Sequence, residues 1–208
     1  MVKEGYPFVI GSILIGLIFA IFYFSIGFYL WIGAVVFVLL ALFMAYFFRD
    51  PERTISDEAD IIVSPADGRV TRVEENEHGK FVSIFLSPVD VHINRSPIAG
   101  KVTKVSYING KKMPATSDKA SLVNERNALT IEGEKITVVC TQIAGIVARR
   151  IVCWKREGEN LALGERFGLI KFSSRTDLQM PFNVDVTVKV DDKVKGGETI
   201  IGRIMDNE

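Results

Sequence analysis

The apolar positions of this chain follow two different rules, and the change falls near residue 49. From Phe8 to Phe48 no charged residue interrupts 41 positions. A secretory signal has an apolar core of only ~7–15 residues. As one helix the run would span about 60 Å, twice a bilayer core, so it must turn once. The stretch "YFSIGFY" at 23–29 holds the breakers, Ser25 and Gly27. The pattern predicts one helix over 8–24 and a second over 28–48, an N-terminal transmembrane helical hairpin. Pro7 suits a first helical turn, and Tyr6, Tyr23, Tyr29 and Trp31 sit where interfacial aromatics belong. A hairpin leaves both outer ends on one side. Lys3, Arg49 and Arg53 flank those ends, which predicts a cell-membrane protein with its remaining domain on the cytoplasmic face.

After Arg49 the period changes to two. "GRVTRV", "FVSIFL", "GKVTKVSYI", "ALTIEG", "KITVVCTQI", "LIKFSS", "VDVTVKV" and "TIIGRIM" alternate Val, Ile and Thr with polar residues and are separated by turn residues. This reads as half-buried strands. "ARRIVCWK" fits a helix or a strand. The expected organisation is a membrane anchor over 1–48 and a mostly-β, barrel-sandwich-like catalytic domain over 49–208.

A net charge of zero removes the basic excess of a nucleic-acid binder. Cys140 and Cys153 form no CxxC pair and read as buried reduced thiols, in keeping with a reducing compartment. Two histidines, His78 and His92, exclude a His-rich metal site. No P-loop, GxGxxG, GxSxG or HExxH occurs. Four polar clusters remain: "SPADG" (64–68), "SPVDVHINRSP" (87–97), "DKASLVNERN" (118–127) and the double serine Ser173–Ser174. Each has an ordinary reading. "PADG" is a ready turn, a lone His is commonly a hydrogen-bonded structural residue, "NERN" reads as a solvated or capping group, and paired serines punctuate turns. Together they hold a hydroxyl, an imidazole to take its proton and a carboxylate to orient the imidazole, the parts of an activated nucleophile. His78, in "EENEHGK", reads as a solvated loop residue.

Six ordered motifs, "FFRDPER", "SPADGRV", "FLSPVDVHINRSPIAG", "DKASLVNERN", "QIAGIVARRIV" and "GERFGLIKFSSRTDLQMP", resemble the phosphatidylserine decarboxylases. The likeness is to their short bacterial and archaeal branch, which includes the archaetidylserine decarboxylases. It covers nearly the whole chain. The resemblance implies an inactive proenzyme that cuts itself by serinolysis between Ser173 and Ser174 into a β chain, 1–173, and an α chain, 174–208. Ser174 would become a pyruvoyl group, a covalent cofactor made from the chain itself. That group would be the electron sink for removing CO₂ from the serine headgroup of a phospholipid, with no metal required. The implied catalytic residues are Ser174, Asp67 of "PADG", and His92 with Asp90 beside it. The cations set against the lipid phosphate are Arg49, Arg53 and Arg95, with Lys111 and Lys112 in addition. The implied partners are the membrane lipid, the two chains of one proenzyme, and a second copy in a homodimer.

The chain departs from the family pattern twice. Ser173 stands where the short branch has glycine, and Arg95 where many members have a second histidine. Two other readings compete. "SPADGRVTRV" and "VDVTVKVDDKVKGGETIIGRI" look like the halves of a lipoyl or biotinyl domain, which suggests a membrane-anchored adaptor or carrier, although no attachment lysine in a Met-Lys-Met-like hairpin is present. A serine protease using Ser174 and His92 would leave the six motifs unexplained.

Overall fold

The computed structural model describes residues 1–26, 30–110, 113, 123–145, 150–172 and 174–205. The chain divides into two compact units, Met1–Pro51 and Glu52–Glu208.

The first unit opens with a short 3₁₀ turn, Lys3–Gly5, and continues as α1 (Tyr6–Ile26) and α2 (Leu30–Phe47). Both helices are long and apolar enough to cross a membrane. Their ends lie within a few residues of the limits that the hydrophobic pattern predicts. The expected breaker Ser25 falls in the last turn of α1, and Gly27 lies outside the described residues. Glycine lets the helices approach: a Cβ on Gly33 would stand 2.3 Å from the Phe19 ring. The Phe19 and Phe37 rings stack at 5.6 Å. Leu14, Leu39 and Leu42 point outward and are exposed, the arrangement a lipid-facing surface requires.

The second unit is built from β1 (Ile61–Val63), β2 (Gly68–Asn76), β3 (Gly79–Leu86), β4 (Ile93–Arg95), β5 (Gly100–Ile108), β6 (Arg126–Glu132) and β7 (Thr137–Ala144). It continues with β8 (Arg150–Cys153), β9 (Asn160–Leu161), β10 (Arg166–Lys171), β11 (Ser174–Met180), β12 (Val184–Val186), β13 (Lys193–Val194) and β14 (Ile200–Ile204). The mostly-β expectation holds, and the ambiguous "ARRIVCWK" contains the strand β8. The large sheet runs β13-β2-β3-β11-β7-β6-β5-β9, a second sheet runs β4-β10-β8, and a third runs β1-β14-β12. The core collects the inward parity of each strand: Val70, Ile84, Leu86, Leu129, Ile131, Val138, Leu178 and Phe167 are among its fully buried members.

The double serine falls where the chain passes from one sheet to another, and Ser174 is already the first residue of β11. β10 belongs to the β4-β10-β8 sheet, whereas β11 inserts at the centre of the large sheet, between β3 and β7. The segment Ser174–Met180 lacks apolar alternation because polar groups pair across its outer face. There Arg175 Nη2 donates to Asp177 Oδ2 at 3.0 Å, and Ser83 Oγ donates to Asp177 Oδ1 at 2.7 Å.

Candidate active site

The turn from β10 to β11 holds Phe172 in the left-handed region, φ +67°. A non-glycine residue there carries a cost of about 1–2 kcal/mol. Ser173 lies outside the described residues. Ser174 opens β11, opposite Leu86 of β3 and Ala144 of β7. Its side chain is buried, and its Oγ makes no hydrogen bond among the described residues. An unsatisfied buried hydroxyl costs about 1–3 kcal/mol, so the fold holds this group at a disadvantage beside a strained turn.

His92 is buried on the segment leading into β4. Its Nδ1 lies 3.0 Å from the main-chain carbonyl of Asp90. A carbonyl can only accept, so Nδ1 carries a proton, and in the neutral ring the lone pair is on Nε2. The Asp90 carboxylate is engaged elsewhere. It accepts from the Ser87 N–H at 2.8 Å and the Ser87 hydroxyl at 2.7 Å. Asp90 therefore orients the imidazole through its backbone, where the sequence pointed to a carboxylate. The His92 carbonyl accepts from Ile170 N–H at 3.2 Å, which docks the histidine beside the last residues of β10.

Two hydrogen bonds locate His92 relative to Ser174. Asn94 Nδ2 donates to Thr176 Oγ1 at 2.9 Å. From Thr176, two residues back along β11 is Ser174, and from Asn94, two residues back is His92. In an extended strand that step keeps a side chain on the same face. Both steps run toward the β10–β11 turn, because Gly168 faces Asn94 while Ile170 bonds to His92. The hydroxyl and the imidazole thus occupy the same face and the same end of the domain.

Asp67 lies further off. It precedes β2, whose Arg69 faces Phe85 of β3, so two strand spacings, about 10 Å, separate its row from Ser174. Its carboxylate accepts from Arg53 Nη2 at 2.8 and 3.0 Å and from the Gly196 N–H at 2.8 Å. The adjoining Gly68 is required by space: a Cβ there would stand 2.2 Å from the Phe85 carbonyl oxygen. The arginines expected at the lipid phosphate have structural partners. The side chain of Arg53 is only 6% exposed and also faces Glu198 at 3.7 Å. Arg95 is buried and donates to the Gly164 carbonyl at 3.0 Å. Arg49 stacks on the Tyr46 ring at 3.9 Å. Lys111 and Lys112 lie outside the described residues. His78 is exposed on the β2–β3 turn, as expected.

Sequence reasoning missed a buried amide network beneath the serine. Gln142 Nε2 donates to Asn94 Oδ1 at 2.9 Å, and Asn127 Nδ2 donates to Gln142 Oε1 at 3.0 Å. The signal was strand parity. Gln142 shares the inward face of Val138 and Cys140, and Asn127 that of Leu129 and Ile131. The solvated reading of "NERN" is corrected for the same reason: Asn124, Glu125 and Asn127 are buried. Asn124 Nδ2 donates to the carbonyl of Ala144, the residue opposite Ser174, at 2.8 Å. On the other face, burial pushes the Asp177 carboxyl above the usual range, against the pull of Arg175. Among the described residues no group of His, Cys, Asp and Glu could hold a metal ion.

The family model for phosphatidylserine decarboxylase matches residues 40–202. The phosphatidylserine decarboxylase proenzyme of Magnetococcus marinus is 45% identical over 216 residues, covering 99% of this chain and 96% of the relative. That of Syntrophus aciditrophicus is 45% identical, covering 96% and 95%. That of Symbiobacterium thermophilum is 45% identical, covering 97% and 94%.

Proposed function

The chain belongs to the phosphatidylserine decarboxylase family, and on that premise we propose that it is a proenzyme that cuts itself between Ser173 and Ser174 and then decarboxylates the serine headgroup of a membrane phospholipid. The observation that carries this reading is the Ser174 hydroxyl, buried without a hydrogen bond among the described residues, two positions after the left-handed Phe172 and on the face that also holds His92.

In the first step Ser174 Oγ bonds to the carbonyl carbon of residue 173, and the bond from that carbon to the Ser174 nitrogen breaks. His92 Nε2 takes the hydroxyl proton and returns it to the departing nitrogen. Removal of the Ser174 Cα proton then expels the residue 173 carboxylate from Cβ, leaving dehydroalanine at 174. Water replaces the nitrogen, ammonia leaves, and a pyruvoyl group caps the α chain. The orphaned hydroxyl at the first position of β11 suits that origin. When formed, the group supplies a carbonyl that accepts the headgroup amine and serves as the electron sink while CO₂ departs. His92 remains as the acid that delivers a proton to the decarboxylated carbon. Asn94 and Gln142 hold His92 and Ser174 in register, and the buried wall around them excludes water. Ester and ether lipids share this headgroup, so the chemistry serves phosphatidylserine and archaetidylserine alike.

Two further features support the reading. β11 is hydrogen-bonded on both sides by strands of the other chain, which keeps the cut chains together. The helices α1 and α2, flanked by Lys3 and Arg49, would hold the domain on the cytoplasmic face beside a substrate that cannot leave the bilayer cheaply.

The intact mass of the purified full-length chain tests the proposal. The expected products are fragments 1–173 and 174–208, the second lighter by one ammonia than a serine-terminated peptide. His92→Ala should remain full length while staying folded. A wild-type chain that is never cut under native conditions overturns the mechanism, and normal cleavage by His92→Ala removes the assigned base.

A further inference from the structure

The row of the large sheet that holds Ser174 also holds a carboxylate that the cleavage step does not use. Ser174 faces Ala144, and the Ala144 N–H donates to the Glu125 carbonyl at 3.0 Å. Glu125 lies two residues before Asn127, whose Nδ2 reaches Gln142 on the inward face. Its own contacts put the Glu125 carboxylate on that face too. Oε1 accepts from the Ile151 N–H of β8 at 3.4 Å and from the Tyr107 hydroxyl at 3.0 Å. Ser174, Ala144 and Glu125 therefore share one face, with two strand spacings, about 10 Å, between the serine and the carboxylate residue.

A second row lies over the first. The Ile170 N–H donates to the His92 carbonyl, Ile170 faces Ile151, and Ala144, Ile151 and Ile170 pack as a small buried cluster. The hydroxyl and the imidazole stand at one side of this apolar layer and the carboxylate at the other. The row is the last of its sheet, since Ser174 begins β11 and Ala144 ends β7, so a ligand meets it without parting the strands. Glu125 is only 6% exposed. Its Oε2 accepts no hydrogen bond among the described residues, and no ion pair joins the carboxylate there. A carboxylate buried with one oxygen unserved and no cation beside it is costly to the fold. An arriving cation would complete it.

We propose that Glu125 receives the ammonium of the serine headgroup and acts as its base. The inference rests on the decarboxylase reading for the carbonyl at 174, and it adds a catalytic residue to that reading. At neutral pH most of the headgroup nitrogen is protonated and has no lone pair to give. Glu125 Oε2 takes one of its three protons. The freed lone pair bonds to the carbonyl carbon at 174, and a carbon–nitrogen double bond replaces the carbon–oxygen one. The oxygen leaves as water, with one proton returned by Glu125 and one from the nitrogen. The third proton stays on the nitrogen, and the carboxylate ends the step ionised, as it began.

The test compares the full-length chain in detergent micelles with Glu125→Gln, which keeps an acceptor for Tyr107 and Ile151 but loses the charge. In a Ser174→Ala background, glycerophosphoserine and its N-acetyl derivative are titrated and followed by ³¹P resonance broadening. Glycerophosphoserine should bind more tightly, and Glu125→Gln should weaken it about ten-fold or more, the scale of a charge-assisted bond, which removes the preference. In the cut chain, the mass of the 174–208 fragment reports adducts at 174 with hydroxylamine, or with phosphatidylserine trapped by cyanoborohydride. The lipid adduct should form about 100-fold more slowly in Glu125→Gln, the scale of general-base catalysis. Hydroxylamine, whose nitrogen is unprotonated at neutral pH, should react at the wild-type rate. Tyr107→Phe removes a bond to the carboxylate without its charge and should preserve both rates. An undiminished preference for the free ammonium in Glu125→Gln overturns the proposal. So does an equal slowing of both nucleophiles, the mark of a structural role, and so does a folded Glu125→Gln chain that is never cut. If the wild type is never cut yet glycerophosphoserine binds through Glu125, the ammonium site stands and the decarboxylase mechanism falls.

Discussion

Asn94 and Thr176 are joined by a buried hydrogen bond of 2.9 Å that ties β4, from one sheet, to β11, at the centre of another. The bond sits two residues from His92, just before β4, and two from Ser174, the first residue of β11. It is the clamp that sets the proposed base against the proposed nucleophile. Thr176→Val removes the acceptor and leaves the Asn94 amide with a long 3.4 Å contact to the Pro65 carbonyl. The expected loss of stability is about 1–3 kcal/mol, read by denaturant unfolding, together with slower cleavage. Thr176→Ser should restore both. Cleavage at the wild-type rate in a destabilised Thr176→Val chain would reduce the bond to a purely structural role.

The turn before Ser174 gives a second prediction. Phe172 holds φ +67°, and relief of that strain by Phe172→Gly should stabilise the uncut precursor more than the reacting turn. A difference of about 1 kcal/mol slows cleavage roughly five-fold. Ser173→Gly should act in the opposite direction, since glycine lets the scissile carbonyl turn toward the hydroxyl without a Cβ in the way. Mass spectrometry over time after synthesis separates the two. Faster maturation in Phe172→Gly would show that the left-handed residue hinders the reaction.

Arg53 supplies a third. Its side chain is nearly buried against Asp67, whose own side chain is 15% exposed. Arg53→Ala leaves that carboxylate with the Gly196 N–H as its remaining partner among the bonds described. The expected cost is about 2–3 kcal/mol, reduced from a fully buried pair because Asp67 keeps some solvent contact. Adding Asp67→Ala should cost less than the sum of the single changes, and strict additivity in that double-mutant cycle would deny the coupling.

Cys140 reports whether β11 stays in place after the cut. It is fully buried, and it faces Leu178 on β11. Burial pushes its thiol far above the ordinary range. The folded chain therefore keeps the neutral thiol where an unfolded one ionises. Stability from this group is complete below about pH 8.5, the ordinary thiol value, and declines as pH rises above it. Iodoacetamide at pH 8 should leave Cys140 unmodified before and after cleavage, with the half-buried Cys153 reacting first. Labelling of Cys140 in the cut protein would show that the α chain has left the sheet.

Composition and period alone determined the division of this chain. A charge-free run admits only a lipid-facing or wholly buried fate, and 3.6-residue and two-residue patterns cannot be exchanged, so the helices and most strands were legible. Ser174 and His92 were legible as chemistry, because few residues can act as nucleophile or base. Three things required the tertiary structure. β11 was hidden because Arg175 and Asp177 satisfy one another on its outer face, a pairing that polar residues in a row do not announce. Asn127 looked solvated, and Asn94 and Gln142 went unnoticed, because an amide is buried only when partners on other strands complete its hydrogen bonds, and those partners come from β4, β6, β7 and β11. Arg53, Arg95 and the Asp90 carboxylate looked available for substrate or imidazole, yet each is held by a partner that folding brings alongside. Residue type determines what a side chain can do, and only the register between distant strands decides which neighbour it does it with.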